Sequence, residues 1–420
     1  MAALLDGVRV LDLTNVLAGP FCCYQLAMLG AEVIKVERPG SGDLARELGA
    51  DSELNAKHMG VSFLAQNAGK RSITLDLKHP EGKAIFKKLV ANADVVVENF
   101  RPGVMTRLGL DPKTLRASRP DLITCAISGY GQDSPLKSDP AYDQIIQGLS
   151  GIMTITGGDT VTGGDTVTGG DTVTGGDTIT GGDSSAGAAA SELDASTEVG
   201  VDASTGVPVS TQAKVTPRAV PVPVRVGYPV ADTTGGMTAA FAIAAALYRR
   251  GVSGEGEDID VAMLDSTLVS MGWAVSNWLV AGKAPVAMGN ENATAAPSGS
   301  FATADGLLNI AANKQEQFET LCRLLDRPEL IDDPRFRQRE SRKDNRYALK
   351  AELKRVLVTK PAAFWAPLLN RNGVPAGEVL DVPTILDHQH VSARNLIKRF
   401  ENVPGAERDI ALAGAGFRLA

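Results

Sequence analysis

Val8-Arg9-Val10-Leu11-Asp12-Leu13, followed by an apolar run at 21–29 and by Val33-Ile34-Lys35-Val36-Glu37, decides the fold of this chain. The first run reads as a strand, the middle run as a helix, and the last as a second strand. Pro20 suits the first turn of that helix, because its missing N–H would have no intrahelical partner there. Gly30 ends the helix. A strand-helix-strand unit of this kind lays its two strands parallel in one sheet.

The alternation continues, with strand-like runs at 72–77, 94–98 and 122–128 and helical runs at 81–93 and 112–118. The pattern predicts an α/β fold: a doubly wound, Rossmann-like parallel sheet domain with ligands at the carboxyl ends of its strands. The turn at 14–20 carries no G-x-G-x-x-G. A dinucleotide site therefore has little support, although Glu37 closes the second strand.

Near Gly157 the material changes. Thr156-Gly157-Gly158-Asp159-Thr160-Val161 repeats with a period of six through Asp183, and 184–220 is rich in Ala, Ser, Thr and Val. The repeats are too few to close a β-solenoid core, and the flank does not continue them. Residues 158–220 are expected to be a flexible, low-complexity insertion, because so little apolar area cannot offset the entropy of ordering. One acid per unit without a nonapeptide period gives little support for calcium binding.

Folded material resumes at Val222, with a strand-like run at 222–230, a helix at 237–250, a strand at 257–261 and a helix at 262–279. A hairpin follows at 298–312, turning at Asp305-Gly306. Amphipathic helices are expected at 315–325, 345–358 and 361–372. The expected organisation is a large α/β domain over 1–157 and 221–290, a smaller α/β domain over 297–380, and a return to the large domain over 381–420.

Composition narrows the possible partners. A net charge of −7 gives no general field for nucleic acid or membrane surfaces, so neither partner is expected, and an anionic ligand needs local cations. Cys22, Cys23, Cys125 and Cys322 lack metal-ligand spacing and read as buried thiols in a reducing, cytoplasmic setting. His388 and His390 have no acidic ligands near them, so no metal is expected. The start has no signal-peptide pattern, and no apolar run reaches about 18 residues without a charge or breaker, so no membrane helix is expected.

Gly227-Tyr228-Pro229-Val230-Ala231-Asp232-Thr233-Thr234-Gly235-Gly236-Met237 puts one carboxylate at the start of a helix. Ordinarily such an Asp is an N-cap, contributing about 1 kcal/mol. The glycine pair costs roughly 1 kcal/mol each against Ala, and asks for a backbone that something approaches closely. Arg38, Lys70, Arg71, Lys78, Arg101 and Arg107 fall near strand ends. Singly each reads as a solvated surface charge; together they supply the cations a polyphosphate requires. Asn99-Phe100 adds an amide and a ring at the end of a strand.

Several of these stretches resemble the class III CoA-transferases, the CaiB/BaiF or formyl-CoA transferase-like family. The resemblance rests on Val10-Leu11-Asp12-Leu13-Thr14, Ala18-Gly19-Pro20, Leu29-Gly30-Ala31-Glu32-Val33-Ile34-Lys35-Val36-Glu37-Arg38 and Gly40-Ser41-Gly42-Asp43. Further matches are "NAGKRSITLDL" from Asn67, Val97-Glu98-Asn99-Phe100-Arg101-Pro102-Gly103, Ser128-Gly129-Tyr130-Gly131-Gln132, the Asp232 segment, and Asp258-Ile259-Asp260-Val261-Ala262-Met263-Leu264-Asp265.

The resemblance implies transfer of coenzyme A between an acyl-CoA thioester and a small carboxylic acid, with Asp232 as the covalent nucleophile. A carboxylate near its ordinary pKa of about 3.9 would be ionised at neutral pH and need no base. By the same resemblance, Arg38, Leu75, Lys78, Asn99, Phe100 and Arg107 contact CoA, and Val16 and Ala18 offer backbone. Tyr142, Asp143, Asn15 and Leu17 fall at the acyl pocket. Gly235 and Gly236 would leave N–H groups over 233–236 bare for an oxyanion. No permanently bound cofactor is implied, the CoA thioester being a substrate, and the family resemblance implies an interlocked homodimer.

Departures from the family pattern sharpen the expectation. Asn15 and Leu17 stand where oxalate-specific members carry His and Gln. Formyl or oxalate use is therefore not expected, and a longer or branched acyl group, such as succinyl or a C5 dicarboxylyl group, is the expectation in its place. A segment that follows the family's counterpart of Phe417-Arg418-Leu419 is missing, so truncation at Ala420 is expected. Two rival readings stand beside the transferase. An α-methylacyl-CoA racemase pairs the same Asp with a Gly-His-Asp histidine, but here Ala141-Tyr142-Asp143 offers a phenol, a poor base at neutral pH. The other rival is a non-catalytic CoA-binding protein.

Overall fold

The computed structural model describes residues 3–157 and 222–418, so the expected insertion at 158–220 lies outside the described residues. Six parallel strands form the main sheet: β1 (Arg9–Asp12), β2 (Glu32–Glu37), β3 (Arg71–Thr74), β4 (Val95–Glu98), β5 (Ile123–Ser128) and β6 (Asp258–Ala262). Their spatial order is β3-β2-β1-β4-β5-β6. Leu11 pairs with Ile34 on one side and Val96 on the other, so β1 is central. The expected doubly wound sheet is therefore present. Its winding reverses between β1 and β4, which opens a crevice at their carboxyl ends.

Alternation along these strands fills two cores, because successive side chains point to opposite faces. Val10, Val33, Val95, Val97, Ile123 and Ile127 face one layer, with Cys22, Cys23 and Leu26 of α1 (Ala18–Met28) and Ala239 and Ile243 of the helix at Val230–Ser253. Leu11, Leu13, Val36 and Val96 face the other, with Phe86, Val90, Met105 and Leu115. Those last four come from α4 (Pro80–Val90), α5 (Val104–Leu108) and α6 (Pro112–Ser118), after two short helices between β2 and β3, α2 (Ser52–Ala56) and α3 (Val61–Asn67). Burial on both faces explains why the strands read as continuous apolar runs.

Beyond β5 come α7 (Asp143–Leu149), α8 (Ile152–Ile155) and, after the undescribed segment, α9 (Val230–Ser253), then α10 (Met263–Ser270) and α11 (Gly272–Ala281). The strand-like run at 222–230 joins no ladder. Instead, Val224 donates its N–H to the Met153 carbonyl at 3.0 Å, so the chain closes on itself across the insertion point. Helix α9 begins seven residues before the expected position, and the expected helix at 262–279 is broken at Met271 into α10 and α11. Helix α9 is long and apolar enough to cross a membrane by length and composition, although it carries Asp232, Gly235-Gly236, Arg249 and Arg250. Here one of its faces lies in the core with α1.

The C-terminal part builds a second, smaller sheet. β7 (Ser298–Ala302), β8 (Leu307–Ala311) and β9 (Ala376–Glu378) are antiparallel, and the first two form the expected hairpin. Phe301, Leu308 and Ile310 pack on Phe318, Leu349, Trp365 and Leu369 from helices Gln315–Leu324, Arg346–Leu357 and Ala362–Arg371. A hairpin of β10 (Ile397–Val403) and β11 (Arg408–Ala413) then packs Val403, Ala406 and Ile410 against Leu54, Met59 and Leu64. Tyr24 of α1 ties its hydroxyl to the Ala413 carbonyl at 2.7 Å.

A buried charge cluster holds the carboxyl ends of β1 and β2. Lys70 reaches the fully buried Asp12 at 2.8 Å, and also donates to the carbonyl of Pro20 and the amide oxygen of Asn67. Lys35 pairs with Asp43 at 2.8 Å and donates to the Thr14 carbonyl. Arg46 forks onto Glu37 at 2.6 and 2.7 Å. Burial alone would push the Asp12 and Glu37 carboxyls up. The lysines around Asp12, and the bonds from Arg46 and Ser72 to Glu37, outweigh it and hold both at about 2.

Carboxyls held below their ordinary values favour the folded state above pH ~4.5, and that contribution is lost as the pH falls toward 2. Replacing Lys70 with Met would leave the buried Asp12 with one cation fewer. We expect Lys70→Met to cost about 3 kcal/mol in urea unfolding at neutral pH, and less at pH 3, where Asp12 can take up a proton. An equal loss at both pH values would show that the lysine acts through packing alone.

Candidate active site

The crevice between the loops after β1 and β4 is a cleft of about 220 Å³. Asn15, Val16, Leu17 and Ala18 line it from the first loop, and Asn99, Phe100, Arg101 and Pro102 from the second. Ser128, Gly129 and Tyr130 close it from the end of β5, with Lys137, Asp139 and Tyr142 beyond, and Asp232 and Met263 opposite.

The β1 loop is held in a strained shape. Val16 has φ 68°, a left-handed conformation that crowds a β-branched side chain. Three interactions fix it. The Asn99 side chain bridges both backbone groups of Asn15, its amide oxygen accepting the Asn15 N–H and its amide nitrogen donating to the Asn15 carbonyl, each at 2.8 Å. The Asn15 side chain accepts the Leu44 N–H at 2.9 Å, and Asp43 accepts the Val16 N–H at 2.9 Å. Behind the second loop, Glu98 takes the Phe100 N–H at 2.6 Å. Strain that the surroundings over-determine is a mark of functional loops.

Asp232 does not cap its helix. It sits in the first turn of α9, after the cap residue Pro229, and its carboxylate accepts no hydrogen bond from a described residue. The capping is done from outside: Asp143 of α7 accepts the N–H groups of Ala231 at 2.8 Å and Asp232 at 3.4 Å. Burial, together with the negative charge of Asp143, pushes the Asp232 carboxyl up to about 7. The expectation of an ordinary carboxylate, fully ionised well below neutrality, is thereby corrected.

Other expectations divide in the same way. Asn15, Val16, Leu17, Ala18, Asn99, Phe100, Tyr142 and Asp232 come together in the cleft. Asp143 is buried beside the helix end and does not line it. Gly235 and Gly236 lie inside α9, where their N–H groups belong to the helix ladder, so they cannot serve an oxyanion as expected. Their bare backbones serve packing. A Cβ on Gly236 would stand 2.4 Å from the Ala18 carbonyl oxygen, and one on Gly235 would stand 2.9 Å from Met263 Cγ.

Among the expected cations, Lys70 is consumed by Asp12, and Arg71 pairs with Glu32 at 2.9 Å. Arg38, Lys78 and Arg107 are exposed along the carboxyl edge of the sheet, outside the cleft lining. Leu75 packs into the second core. Lys137, Asp139, Tyr130 and Met263 were not legible as cleft residues. Each sits in a loop or helix start that only the tertiary fold brings to β1.

The protein is thus a doubly wound α/β protein with a carboxylate in the crevice at its switch point, where sheets of this kind bind ligands. The family model for CoA-transferase family III matches residues 5–190 and 181–420, and the chain belongs to this family of enzymes. It is 35% identical over 410 residues to the acetyl-CoA:oxalate CoA-transferase of Acetobacter aceti, covering 97% of this chain and 89% of that one. It is 32% identical to the succinate–glutarate CoA-transferase of Agrobacterium fabrum, covering 99% of this chain and 90% of that protein. Among solved structures, a CaiB/BaiF family protein from Brucella suis superposes with a TM-score of 0.74 at 30% identity, over 100% of this chain and 93% of that one.

The packing role of the glycines is testable against a control in the same helix. Gly236→Ala should destabilise the protein by about 1–3 kcal/mol despite the better helix propensity of Ala, because the clash is with backbone. Gly251→Ala, which meets open space, should instead stabilise it by about 0.5–1 kcal/mol. Stabilisation by both, in urea unfolding, would refute the packing role.

Proposed function

We propose that this enzyme transfers coenzyme A between an acyl-CoA and a dicarboxylic acid through covalent intermediates on Asp232. The carrying observation is that the carboxylate of Asp232 lies in the cleft without a hydrogen-bond donor among the described residues and beside another carboxylate. A carboxylate stripped of its solvation and raised in basicity is a better nucleophile than one in water.

In the first step an Asp232 oxygen attacks the thioester carbonyl carbon. The C–S bond breaks, CoA leaves as thiolate, and a mixed anhydride forms. The thiolate then attacks the Asp232 carbonyl carbon; the anhydride C–O bond breaks, the donor acid leaves as carboxylate, and an aspartyl-CoA thioester remains. An acceptor carboxylate attacks that thioester, expelling the thiolate and forming a second anhydride. Attack of the thiolate on the acceptor's carbonyl carbon gives the new acyl-CoA and restores Asp232. No proton is gained or lost, so the cleft needs no general base.

For the CoA, the backbone at Val16 and Ala18 and the side chains of Asn99 and Phe100 offer contacts in the cleft. Arg38, Lys78 and Arg107 pair with no carboxylate among the described residues, which leaves them for phosphates. Arg101 and Lys137 line the cleft and suit the second carboxylate of a diacid. The relatives' names include oxalate, glutarate and mesaconate, and a C4–C5 diacid fits the replacement of the oxalate-type residues at Asn15 and Leu17.

Incubation with succinyl-CoA and a panel of diacids, read by mass, should show CoA exchange. Asp232→Ala should lower the rate at least about 10³-fold, and borohydride during turnover should convert the Asp232 side chain of the wild type to an alcohol. The rate at low substrate should fall with pH below about 7, as Asp232 takes up a proton. Full exchange by Asp232→Ala, or α-deuterium washout without exchange, would defeat the reading.

The assembly we propose is a homodimer. Phe241, Tyr248 and Val252 of α9, Val269 of α10 and Trp273, Leu279 and Val280 of α11 are exposed, and α11 has no buried residue. A surface this apolar needs a cover. Light scattering should give twice the chain mass, and Trp273→Glu with Val280→Glu should give the single-chain mass. A monomeric wild type at micromolar concentration would exclude the dimer.

A further inference from the structure

The helix that carries Asp232 is not anchored by its own sequence. Its cap residue is Pro229, which offers no side-chain acceptor, and no capping bond comes from within the helix. The anchor is Asp143, 89 residues before Asp232 in the chain, whose Oδ1 takes the N–H groups of Ala231 and Asp232. Asp143 is itself held. Gln147, one turn along α7 and fully buried, donates from Nε2 to Asp143 Oδ2 at 2.6 Å. The other end of the same amide takes the Val226 N–H at 2.9 Å, and Nε2 also approaches the Tyr228 carbonyl at 3.4 Å. One buried pair thus holds the helix start and the chain that leads into it.

We propose that Asp143, braced by Gln147, is a positioning residue that fixes the first turn of α9 and thereby the place of the Asp232 carboxylate in the cleft. The inference rests on the proposed nucleophilic role of Asp232. Two physical consequences follow from the geometry. An anion at a helix N-terminus satisfies orphan N–H groups and the helix dipole, so the turn stays formed while the neighbouring side chain changes chemical state. The same anion lies close to Asp232 and disfavours a second negative charge. Asp143 therefore keeps Asp232 in place and keeps it basic.

The other charged groups that line the cleft with Asp232 are Arg101, Lys137 and Asp139, with the phenols of Tyr130 and Tyr142. Helix α1 brings Ala18 and Phe21 against Gly236, and α10 brings Met263 against Gly235. Asp265 of α10 acts on Asp260 instead. The negative charge of Asp143 acts on the Asp232 carboxyl in the same direction as burial.

The test is the pH dependence of CoA exchange at low substrate in four proteins: wild type, Asp143→Asn, Asp143→Asn with Gln147→Glu, and Asp232→Asn. Asp143→Asn keeps an acceptor oxygen for Ala231 and removes the charge. Its acid limb should move down by about half a pH unit or more, with a smaller fall in maximal rate than Asp232→Asn produces. The double variant restores the side-chain pair with its polarity exchanged. The amide introduced at position 143 donates to the carboxylate introduced at position 147, which still accepts the Val226 N–H. Its limb should lie between wild type and the single variant, which keeps the question open to measurement if Asp143→Asn folds poorly. Unmoved limbs in both variants, with Asp232→Asn inactive, would overturn the positioning role alone. An active Asp232→Asn would overturn the nucleophile itself.

Discussion

The ammonium groups of Lys35 and Lys70 lie almost wholly out of water, and the carboxyl ends of β1 and β2 are arranged around satisfying them. Unpaired, each would cost several kcal/mol. Paired with Asp43 and Asp12, they also hold the carbonyls of Thr14 and Pro20, and Asp43 in turn holds the Val16 N–H. The loop that forms one wall of the cleft is therefore bolted to charges behind it. Without that support, a β-branched residue at positive φ would relax, and the backbone at Val16 and Ala18 would lose its shape.

The electrostatics of the molecule divide at this loop. Behind it, cations and carboxylates are matched and acids are held below their ordinary values. In front of it, Asp232 has no donor among the described residues and a carboxylate for a neighbour, and it is held far above its ordinary value. Both environments are buried; the difference lies in what the fold places alongside. The first arrangement suits a scaffold, and the second is of the kind that clusters at functional sites.

Much of the parallel sheet was legible in the amino-acid order. The runs around Val10, Val33 and Val95 are apolar on both faces because helices cover both, and Pro20 and Gly30 mark the limits of α1 well. The short elements α2 and α3 were not visible: they are brief, mixed in polarity, and stabilised by the hairpin of β10 and β11 from the far end of the chain. The glycine pair in α9 was legible as a close approach, but not which one. It reads equally as an oxyanion site or a packing contact until the Ala18 carbonyl is seen against it. Lys70 misled as a ligand cation, because nothing in the local sequence says that its partner is Asp12, 58 residues earlier.

By itself the sequence determined the doubly wound sheet, the family, and one carboxylate close to a helix start, though not where that helix begins. These follow from local periodicity, breaker residues and motif order, all of which are carried by neighbouring positions along the chain. Only the tertiary structure decided the chemical state of that carboxylate. Its pKa depends on burial and on Asp143, and its position on a cap and a brace supplied from another helix. Charge interactions act through space rather than along the chain, and a low-dielectric site makes them large. The nature of the residue was therefore written locally, while its proton affinity was set by what folding brought beside it.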